Sequence, residues 1–463
     1  MNMKESLRLD TPYVLDDHLG DHRLTRADLT DLEPQVRTIL KEIASERKHG
    51  KHRFRDLPQL RLQVGEIKEL VTDYRPSTDN MLVLGIGGSA LGNIALQTAL
   101  NSPVYNLLPD DRRRGPRLFV LDNVDPIACE AVFQYAGWDW SRTLVNVISK
   151  SGETAETSAQ FLIVRDRLIK ALGEKAARER IVVTTDAAQG TMRSIVQQEK
   201  YRSLTVPDGV GGRFSVLSPV GLFSAAMCGI DIEALLAGAA SMDEPVSDTH
   251  PAENIAARIA MIHYLYEQRG KPMHVMMSYS QQLKDLADWY RQLYAESLGK
   301  IRPNDGKCVG PTPIKALGAT DQHSQVQLYR EGPNDKVFTF LQVDNFPNDP
   351  RIPRAFDGIE AMQYLGRSEK GTLGGLLNAE KTATELALLA SQRPSLTVHF
   401  PRVNEHTVGQ FLYLYEAVIP IMGKLYGIDP YDQPAVELGK RLTFHFMGRK
   451  GYEEPPKEIG KQP

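Results

Sequence analysis

The amino-acid sequence predicts an α/β fold, built from two doubly wound parallel-sheet domains with helical extensions. Short apolar runs alternate with helical segments between residues 81 and 185, and the same alternation returns between residues 274 and 426. A glycine-rich stretch over 207–213 separates the two series and is typical of a linker or hinge loop. The length of 463 residues is enough for about two or three domains.

The first series predicts four strands, and helical segments follow them. Met81-Leu-Val-Leu-Gly-Ile-Gly87 is apolar up to its glycines, which is typical of a strand buried on both faces. Alternation of strands and helices at this spacing indicates a parallel sheet that is covered on both sides. The predicted strands are 81–87, 117–122, 143–149 and 181–185, with helices over 89–100, 128–135 and from 154 onward.

The second series predicts three further strands, over 274–278, 337–341 and 395–400, with helices over 281–298, 379–391 and 407–426. Residues 1–75, which precede both series, are polar and rich in charge. Within them the spacing of four apolar residues predicts a helix, and these residues are Leu32, Val36, Leu40 and Ile43.

Composition and charge exclude several classes of protein. Apolar residues make up 41% and charged residues 24%, which is ordinary for a globular chain. Lys and Arg number 55 against 58 Asp and Glu, so the net charge of −3 lacks the basic footprint of a nucleic-acid binder. The three cysteines are far apart, so we expect neither a disulfide scaffold nor a zinc finger; they are Cys129, Cys228 and Cys308.

Two further features bear on location. Met1 to Arg8 has no apolar core, so it does not resemble a signal peptide. The longest mostly apolar stretch, Val216 to Ile230, is too short to span a membrane and contains Pro219. We therefore expect a cytoplasmic protein that binds neither membrane nor nucleic acid.

A first candidate anion site is the glycine-rich loop Gly85-Ile-Gly-Gly-Ser-Ala-Leu-Gly92, at the end of a predicted strand and the start of a helix. Glycines let the backbone approach a ligand closely, and the free N–H groups of a helix start attract an anion. The loop also matches a dinucleotide-binding pattern, but Asp122, which ends the next strand, follows more than 30 residues later instead of about 20. A phosphate ester, a dinucleotide and plain tight packing all remain open for this loop alone.

A second loop favours the phosphate interpretation. Ser149-Lys-Ser-Gly-Glu-Thr-Ala-Glu-Thr157 also follows a strand and opens a helix. It offers several hydroxyls, one ammonium group and helix N-terminal amides, which suits a phosphate monoester. The alternative is a plain helix cap with a partial capping box between Thr154 and Thr157.

A candidate general base lies in the helical segment 283–300. Leu286, Trp289, Leu293 and Glu296 recur at spacings of three and four, so Glu296 continues an apolar face, and Gly299 ends the helix. A carboxylate at the end of such a face suits a proton acceptor. The alternative is a salt-bridged glutamate on the surface.

Three other polar residues stand out by their surroundings. His323 lies in a polar stretch over 318–325, Arg213 follows two glycines, and Lys440 follows an Asp-Pro turn in the segment 431–440. No second His or Cys lies at ligand spacing from His323, so we expect no metal site there.

Together these segments resemble the glucose-6-phosphate isomerase family in its bacterial form. The loops 85–92 and 149–157 are similar to the family's two sugar-phosphate loops, and 211–221 and 431–440 are similar to its two signature stretches. Residues 296–300 and 321–324 resemble its proton-transfer and ring-opening segments. The chain departs from the family pattern at Ala435 and, relative to animal members, at Ser151 and Glu153.

The resemblance implies the interconversion of glucose 6-phosphate and fructose 6-phosphate through a cis-enediol or enediolate, without metal or other cofactor. It implies four catalytic residues: Glu296 transfers the proton between carbons 2 and 1, His323 and Lys440 open the sugar ring, and Arg213 stabilises the enediolate. It also implies a set of substrate-binding residues, namely Gly88, Ser89, Ser149, Lys150, Ser151, Thr154, Glu156, Gly212 and Gln433.

The resemblance implies a particular organisation as well. Two sugar isomerase domains, a smaller one over 76–208 and a larger one over 209–430, would follow a helical segment 1–75 that packs on the larger domain. The segment 431–463 would complete the active site, and the family's homodimer would bring His323 from the neighbouring chain. A non-catalytic sugar-phosphate regulator and an NAD-dependent dehydrogenase remain the alternatives.

Overall fold

The structure, a computed structural model, describes residues 6–135, 138–367 and 369–459. Within these ranges it contains twelve strands: β1 Arg8–Asp10, β2 Asn80–Leu84, β3 Arg117–Leu121, β4 Thr143–Ile148, β5 Ile181–Thr185, β6 Arg202–Thr205, β7 Met273–Ser278, β8 Lys300–Ile301, β9 Cys308–Val309, β10 Thr312–Leu317, β11 Lys336–Val343 and β12 Ser395–Phe400. Ten strands form two five-stranded sheets, and β8 and β9 form a hairpin. The predicted α/β class is confirmed.

Helices connect the strands. In the same ranges they are α1 Arg26–Lys48, α2 Arg61–Tyr74, α3 Leu91–Leu100, α4 Pro126–Phe133, α5 Ala155–Leu172, α6 Glu174–Glu179, α7 Thr191–Glu199, α8 Pro219–Met227, α9 Ile232–Asp243, α10 Ile255–Gln268, α11 Lys284–Leu298, α12 Thr320–Ser324, α13 Val326–Glu331, α14 Glu360–Gln363, α15 Leu373–Ala390, α16 Glu405–Tyr426 and α17 Val436–Phe446. Short 3₁₀ turns join several of them, among them Gly87–Ser89 and Gly212–Phe214.

The first sheet is parallel throughout, with the order β3-β2-β4-β5-β6. Its three central strands, β2, β4 and β5, are buried along their whole length, which explains why they are apolar without alternation. The sequence did not predict β6, because this short edge strand is mostly polar and partly exposed. Because β2 lies between β3 and β4, the connections after β2 and β4 leave toward opposite faces of the sheet.

The second sheet has the order β1-β12-β11-β7-β10 and is parallel except for β1, which pairs with β12 in the antiparallel sense. Its parallel strands β7, β10, β11 and β12 repeat the order of β2, β3, β4 and β5. The sequence missed β10, since Pro313 and Lys315 interrupt its apolar pattern at the edge of the sheet.

Alternate residues of the strands face different cores. On β2, Met81 and Val83 belong to a large central core that also includes side chains of α3, α11 and α16 and of the second sheet. Leu82 and Leu84 face an outer core that is covered by α5. A third core lies on the outer face of the second sheet, against α15.

The N-terminal segment is attached to the second sheet and its helices. The four apolar residues that predicted a helix lie on α1 and are buried against α10 and α16; they are Leu32, Val36, Leu40 and Ile43. The strand β1 adds to the edge of the second sheet. In the described part of the chain, no helix has the length and hydropathy needed to cross a membrane.

Candidate active site

The first glycine-rich loop follows β2 and leads through the turn Gly87–Ser89 into α3. A Cβ atom at Gly88 would lie 2.2 Å from the carbonyl carbon of Gly212 and 2.7 Å from the backbone nitrogen of Arg213. Only a residue without a side chain therefore lets this loop contact the stretch before α8. Tight packing, one of the alternatives that the sequence left open, is therefore present at Gly88, and the helix start beside it stays a predicted anion site.

The second loop, between β4 and α5, is shaped by its own hydroxyls. The Ser149 Oγ accepts a hydrogen bond from the Gly152 amide at 3.0 Å, and the Ser151 Oγ accepts one from the Glu153 amide at 3.1 Å. Thr154 stands at the N-cap of α5, but its side chain caps no amide. The helix-cap alternative is therefore wrong, and the hydroxyl of Thr154 forms no hydrogen bond within the described residues.

The two loops meet at one edge of the first sheet, because β2 and β4 are neighbours and run in parallel. In doubly wound sheets, ligands bind in the crevice outside the carboxyl ends of two such strands. The helix starts of α3 and α5 both face this edge, and the Lys150 Nζ donates to the Val210 carbonyl at 3.3 Å. Amides, hydroxyls and an ammonium group thus surround a place suited to an anion.

Arg213 is the centre of a second group of contacts. Its side chain is 2% exposed, and burial lowers the pKa of its guanidinium while Glu296 and Asp432 oppose that shift, so it stays charged. It donates to five oxygen atoms: Ser297 Oγ at 2.6 Å, Glu296 Oε1 at 3.2 Å, Gln433 Oε1 at 3.0 Å, the Pro430 carbonyl at 2.6 Å and the Asp432 carbonyl at 3.1 Å. A single buried cation therefore joins the turn before α8, the end of α11 and the segment after α16.

Glu296 lies in the last turn of α11 and is half-buried. As predicted, Leu286, Trp289 and Leu293 form the buried face of the same helix. One carboxylate oxygen of Glu296 accepts from Arg213, and the other accepts from the Gln292 Nε2 at 2.9 Å. The salt-bridge alternative is correct in one respect, since Glu296 does pair with a cation, but that cation is buried and Glu296 lines an open cavity of about 960 Å³.

Three predicted residues lie apart from the Arg213–Glu296 pair. His323 is exposed on the short helix α12 and forms no hydrogen bond or ion pair within the described residues. The Lys440 Nζ donates to Glu437 Oε1 at 2.6 Å on α17, and Glu156 lies in the first turn of α5. The remaining predicted residues belong either to the two loops or to the contacts of Arg213.

Sequence reasoning missed Gln292, Ser297 and Lys300 as separate site residues. Gln292 precedes Glu296 by four positions, which places both side chains on one face of α11, and this spacing is a signal that could have been used. Its Oε1 is buried without a partner within the described residues. Lys300 donates to the Asp432 carbonyl at 2.6 Å and to the Glu296 carbonyl at 3.1 Å, and burial lowers its pKa.

The described residues contain no group of three or more His, Cys, Asp or Glu side chains that could hold a metal ion. The candidate site combines the predicted anion cradle on the first sheet with a paired carboxylate and guanidinium on α11 and the turn before α8. Such an arrangement can bind a phosphorylated substrate and move a proton next to a fixed positive charge.

Comparison with known proteins agrees with this chemistry. The family model described as phosphoglucose isomerase matches residues 38–451. A glucose-6-phosphate isomerase of Carboxydothermus hydrogenoformans is 43% identical over 459 residues, which are 98% of each chain. One from Rubrobacter xylanophilus is 42% identical over 430 residues, covering 93% of this chain and 96% of the relative.

Solved structures give the same result. The crystal structure of a hypothetical protein from Thermus thermophilus superimposes with a TM-score of 0.82 at 35% identity, covering 95% of this chain and 99% of that one. A glucose-6-phosphate isomerase from Chlamydia trachomatis superimposes with a TM-score of 0.72 at 25% identity, covering 86% and 75%. The chain belongs to the phosphoglucose isomerase family.

Proposed function

We propose that this aldose–ketose isomerase interconverts glucose 6-phosphate and fructose 6-phosphate with Glu296 as the base and Arg213 as the fixed cation. The observation that carries the proposal is the contact between their side chains at 3.2 Å, with Arg213 buried and Glu296 open to a cavity. A sugar-phosphate regulator would need the anion cradle but has no need of this pair, and no observation favours a dehydrogenase.

Proton transfer at Glu296 moves a charge over a short distance. When the carboxylate takes the proton from carbon 2 of the open-chain sugar, its negative charge disappears and appears on the enediolate oxygen. Arg213 lies next to Glu296 and keeps its charge throughout, so it compensates the negative charge in both states. The hydroxyl proton of oxygen 2 then moves to oxygen 1, and returning the carbon-bound proton from Glu296 to carbon 1 completes the isomerisation.

The phosphate of the substrate binds in the cradle of the first sheet. The hydroxyls of Ser149, Ser151 and Thr154 donate to it, with Ser89, Lys150 and the backbone at Gly88 and Gly212 nearby. Because Ser149 and Ser151 use their oxygen atoms as acceptors within the loop, their O–H groups remain free to donate. The phosphate does not react, so this cradle supplies binding and orientation.

The segment 431–463 completes the site in this proposal. Its first residues already contact the catalytic pair, since the Gln433 Oε1 accepts from Arg213 and the Asp432 carbonyl accepts from Arg213 and Lys300. Lys440 would come from α17 to assist ring opening, with Glu156 near the same end of the substrate. We keep the predicted domain limits 76–208 and 209–430, and limited proteolysis can test them. The cytoplasmic location stays a prediction, which cell fractionation can test.

The direct experiment is a coupled assay of the purified protein with fructose 6-phosphate as substrate, EDTA in the buffer and glucose 6-phosphate as the detected product. Turnover supports the proposed reaction. Absence of turnover both in EDTA and with added zinc or manganese contradicts the reaction. Turnover only with added zinc or manganese contradicts a mechanism without metal.

We further propose a homodimer in which His323 acts in the active site of the neighbouring chain. The support is that His323 is exposed on α12 and lacks a partner within the described residues, whereas Glu296 and Arg213 contact each other. Mixing two inactive variants, His323→Ala and Glu296→Gln, tests the arrangement. Random exchange of subunits gives one intact site in half of the dimers, so about a quarter of the wild-type activity returns. If His323 acts in its own chain, no activity returns.

A further inference from the structure

The C-terminal segment 436–459, which carries Lys440, makes few contacts with the rest of the protein. No side chain of its helix α17 is buried, although the helix contains apolar residues. Its ion pairs are mostly internal: Lys440 pairs with Glu437, and Arg441 pairs with Glu458 at 2.5 Å. The ring of Phe444 packs against that of Tyr452, 5.1 Å between centroids. The side-chain contacts of the segment are therefore mostly internal.

One residue of this segment reaches the body. The Arg449 guanidinium lies over the Phe444 ring at 4.3 Å and near the Tyr452 ring at 5.5 Å, which fixes its direction. Its Nη2 pairs with Glu153 Oε2 at 2.6 Å. Within the described residues, no other hydrogen bond or ion pair joins a side chain of 436–459 to the remainder of the chain.

Glu153 belongs to the phosphate loop and is itself held on two sides. Its other carboxylate oxygen accepts from the Thr191 Oγ1 at 2.8 Å, at the start of α7, and its amide donates to the Ser151 Oγ. It directly precedes Thr154, whose hydroxyl we assign to the phosphate. The Thr191 hydrogen bond and the ion pair with Arg449 hold the pKa of Glu153 below its usual value, so the carboxylate is charged.

We propose that Arg449 and Glu153 are positioning residues that fasten the segment carrying Lys440 to the phosphate loop, so that Lys440 reaches the sugar ring only when this pair is made. The inference rests on the proposed function. Both side chains are more than 40% exposed, so the pair adds little to global stability; its value is the placement of α17 relative to the substrate. A carboxylate this near a phosphate site would otherwise repel the substrate, and Arg449 also neutralises it.

The experiment compares four variants of the full-length protein: Arg449→Gln, Glu153→Gln, the double variant, and Arg441→Gln as a matched control. Arg441 is an arginine of the same segment whose ion pair stays within the segment. Each is assayed with cyclic glucose 6-phosphate. Each is also assayed for solvent deuterium exchange at carbon 2 of a four-carbon aldose phosphate, which cannot close a five- or six-membered ring.

Misplacement of a catalytic group by about 1 Å costs up to about 10²-fold, so we expect kcat on the cyclic sugar to fall about tenfold in both single variants. The double variant should be no slower than either single variant, because one interaction is lost in all three. At saturating substrate, exchange on the open-chain substrate should stay near wild type, because the lost charge neutralisation changes only substrate binding. The melting temperature should also stay near wild type, as should the control in every assay.

Other outcomes overturn the proposal. If Arg449→Gln behaves as Arg441→Gln does, the pair is an ordinary surface contact. If Arg449→Gln raises only KM while Glu153→Gln lowers KM, Arg449 merely neutralises the charge of Glu153. If the losses of kcat in the two single variants multiply in the double variant, the two residues do not act through one shared interaction. These outcomes concern variants of an active enzyme, so they leave the proposed function intact. Only a wild-type protein without isomerase activity would contradict the proposed function itself.

Discussion

The two sheets have the same strand order but different uses. In the first, the crevice between β2 and β4 is flanked by a glycine-rich loop and a loop rich in hydroxyls. In the second, the corresponding position lies between β7 and β11, and the residue directly after β7 is Tyr279. Its buried ring packs on Gly318, where a Cβ atom would come within 2.5 Å of it, and its hydroxyl donates to Gln322 at 2.7 Å. A buried aromatic side chain therefore follows β7, where glycines follow β2.

The difference teaches that the strand order supplies the position of a site and the loop residues decide what occupies it. The second sheet contributes through the helix after β7 instead. This helix, α11, packs on α3, the helix that follows β2 of the first sheet, and Asp285 accepts from the Thr98 hydroxyl at 2.6 Å. It thereby carries Glu296 toward the first crevice, and in the proposed mechanism one sheet binds the anion while the helix after β7 of the other supplies the base.

The largest expected effect tests the role of α11. Glu296→Gln keeps the size of the side chain and can still accept from Arg213, but it cannot take a proton from carbon. Positioned acid–base groups contribute about 10²–10⁴-fold, so we expect kcat to fall at least that much while sugar-phosphate binding is retained. Solvent deuterium exchange into carbon 2 of glucose 6-phosphate measures the lost step.

Asp288→Asn is the matched control, since Asp288 lies on the same helix and pairs with Arg291 and Lys315 away from Arg213. Its activity should stay within about twofold of wild type, because neither of its ion pairs involves Arg213 or Glu296. Exchange at a near wild-type rate in Glu296→Gln would move the base to another carboxylate, and Glu156 and then Glu437 would be the next to test.

A second prediction tests the contacts by which Arg213 joins the turn before α8 to the end of α11 and the segment after α16. Lysine keeps the charge but has only three donors on one nitrogen, so Arg213→Lys cannot reach five oxygen atoms on two segments. Loss of a preorganised donor beside developing charge costs about 10²–10³-fold, and we expect kcat to fall about 10²-fold. Arg291→Lys on α11 is the control. Equal activity of both variants would remove Arg213 from the reaction.

A third prediction compares the two crevices directly. Ser149→Ala and Thr154→Ala each remove a donor to the phosphate, and a hydrogen bond to a charged group contributes about 1.5–3 kcal/mol, so KM should rise about ten- to a hundredfold. Ser280 follows β7 at the second crevice, where its Oγ accepts from the Gln282 amide. Ser280→Ala should leave KM unchanged. An equal rise in all three variants would show that helix starts, and not the cradle, are being weakened.

The parts of this site that the sequence predicted are those built from neighbouring residues. The glycines of 85–88 and the hydroxyls of 149–154 lie within single turns, and the apolar spacing on α11 identifies the face of Glu296. Local patterns of this kind follow from the periods of helix and strand. The fold class was predictable for the same reason, since the buried strands β2, β4 and β5 are mainly apolar.

Contacts between distant segments could not be predicted from such patterns. Arg213 donates to the Pro430 and Asp432 carbonyls, more than 200 residues away, and backbone oxygens leave no trace in residue type. The polar edge strands β6 and β10 lack the apolar signal of the central strands. Pairing of Glu153 with Arg449 depends on where α17 lies, and its amphipathic pattern alone would have predicted a buried face.

We expect the smallest effect on activity from a substitution at Asp243, where the N-terminal segment contacts α9 and α16. Asp243, at the end of α9, accepts from Arg47 at 2.8 Å, from Arg55 at 2.7 Å and from the Tyr413 hydroxyl. Burial tends to raise the pKa of this carboxyl, but hydrogen bonding to Tyr413 and the charge of Arg55 lower it below its usual value overall. In the described residues, the first sheet has no carboxylate that accepts from two arginines of the N-terminal segment in this way.

Asp243→Asn should lower the free energy of unfolding by about 2–3 kcal/mol at pH 7, because the buried Arg55 loses its charged partner, while kcat and KM stay near wild type. Glu233→Gln, which breaks the exposed pair with Lys68, is the control and should cost at most about 1 kcal/mol. Because the folded-state pKa of Asp243 is depressed, its stabilisation is complete above the unfolded pKa of about 3.9 and is lost as the pH falls through the folded value. Denaturant unfolding at pH 7 and below pH 4 measures this loss. The difference in free energy of unfolding between wild type and Asp243→Asn should become smaller in acid. A difference that stays constant would show that packing, and not charge, stabilises the contact of the N-terminal segment with α9.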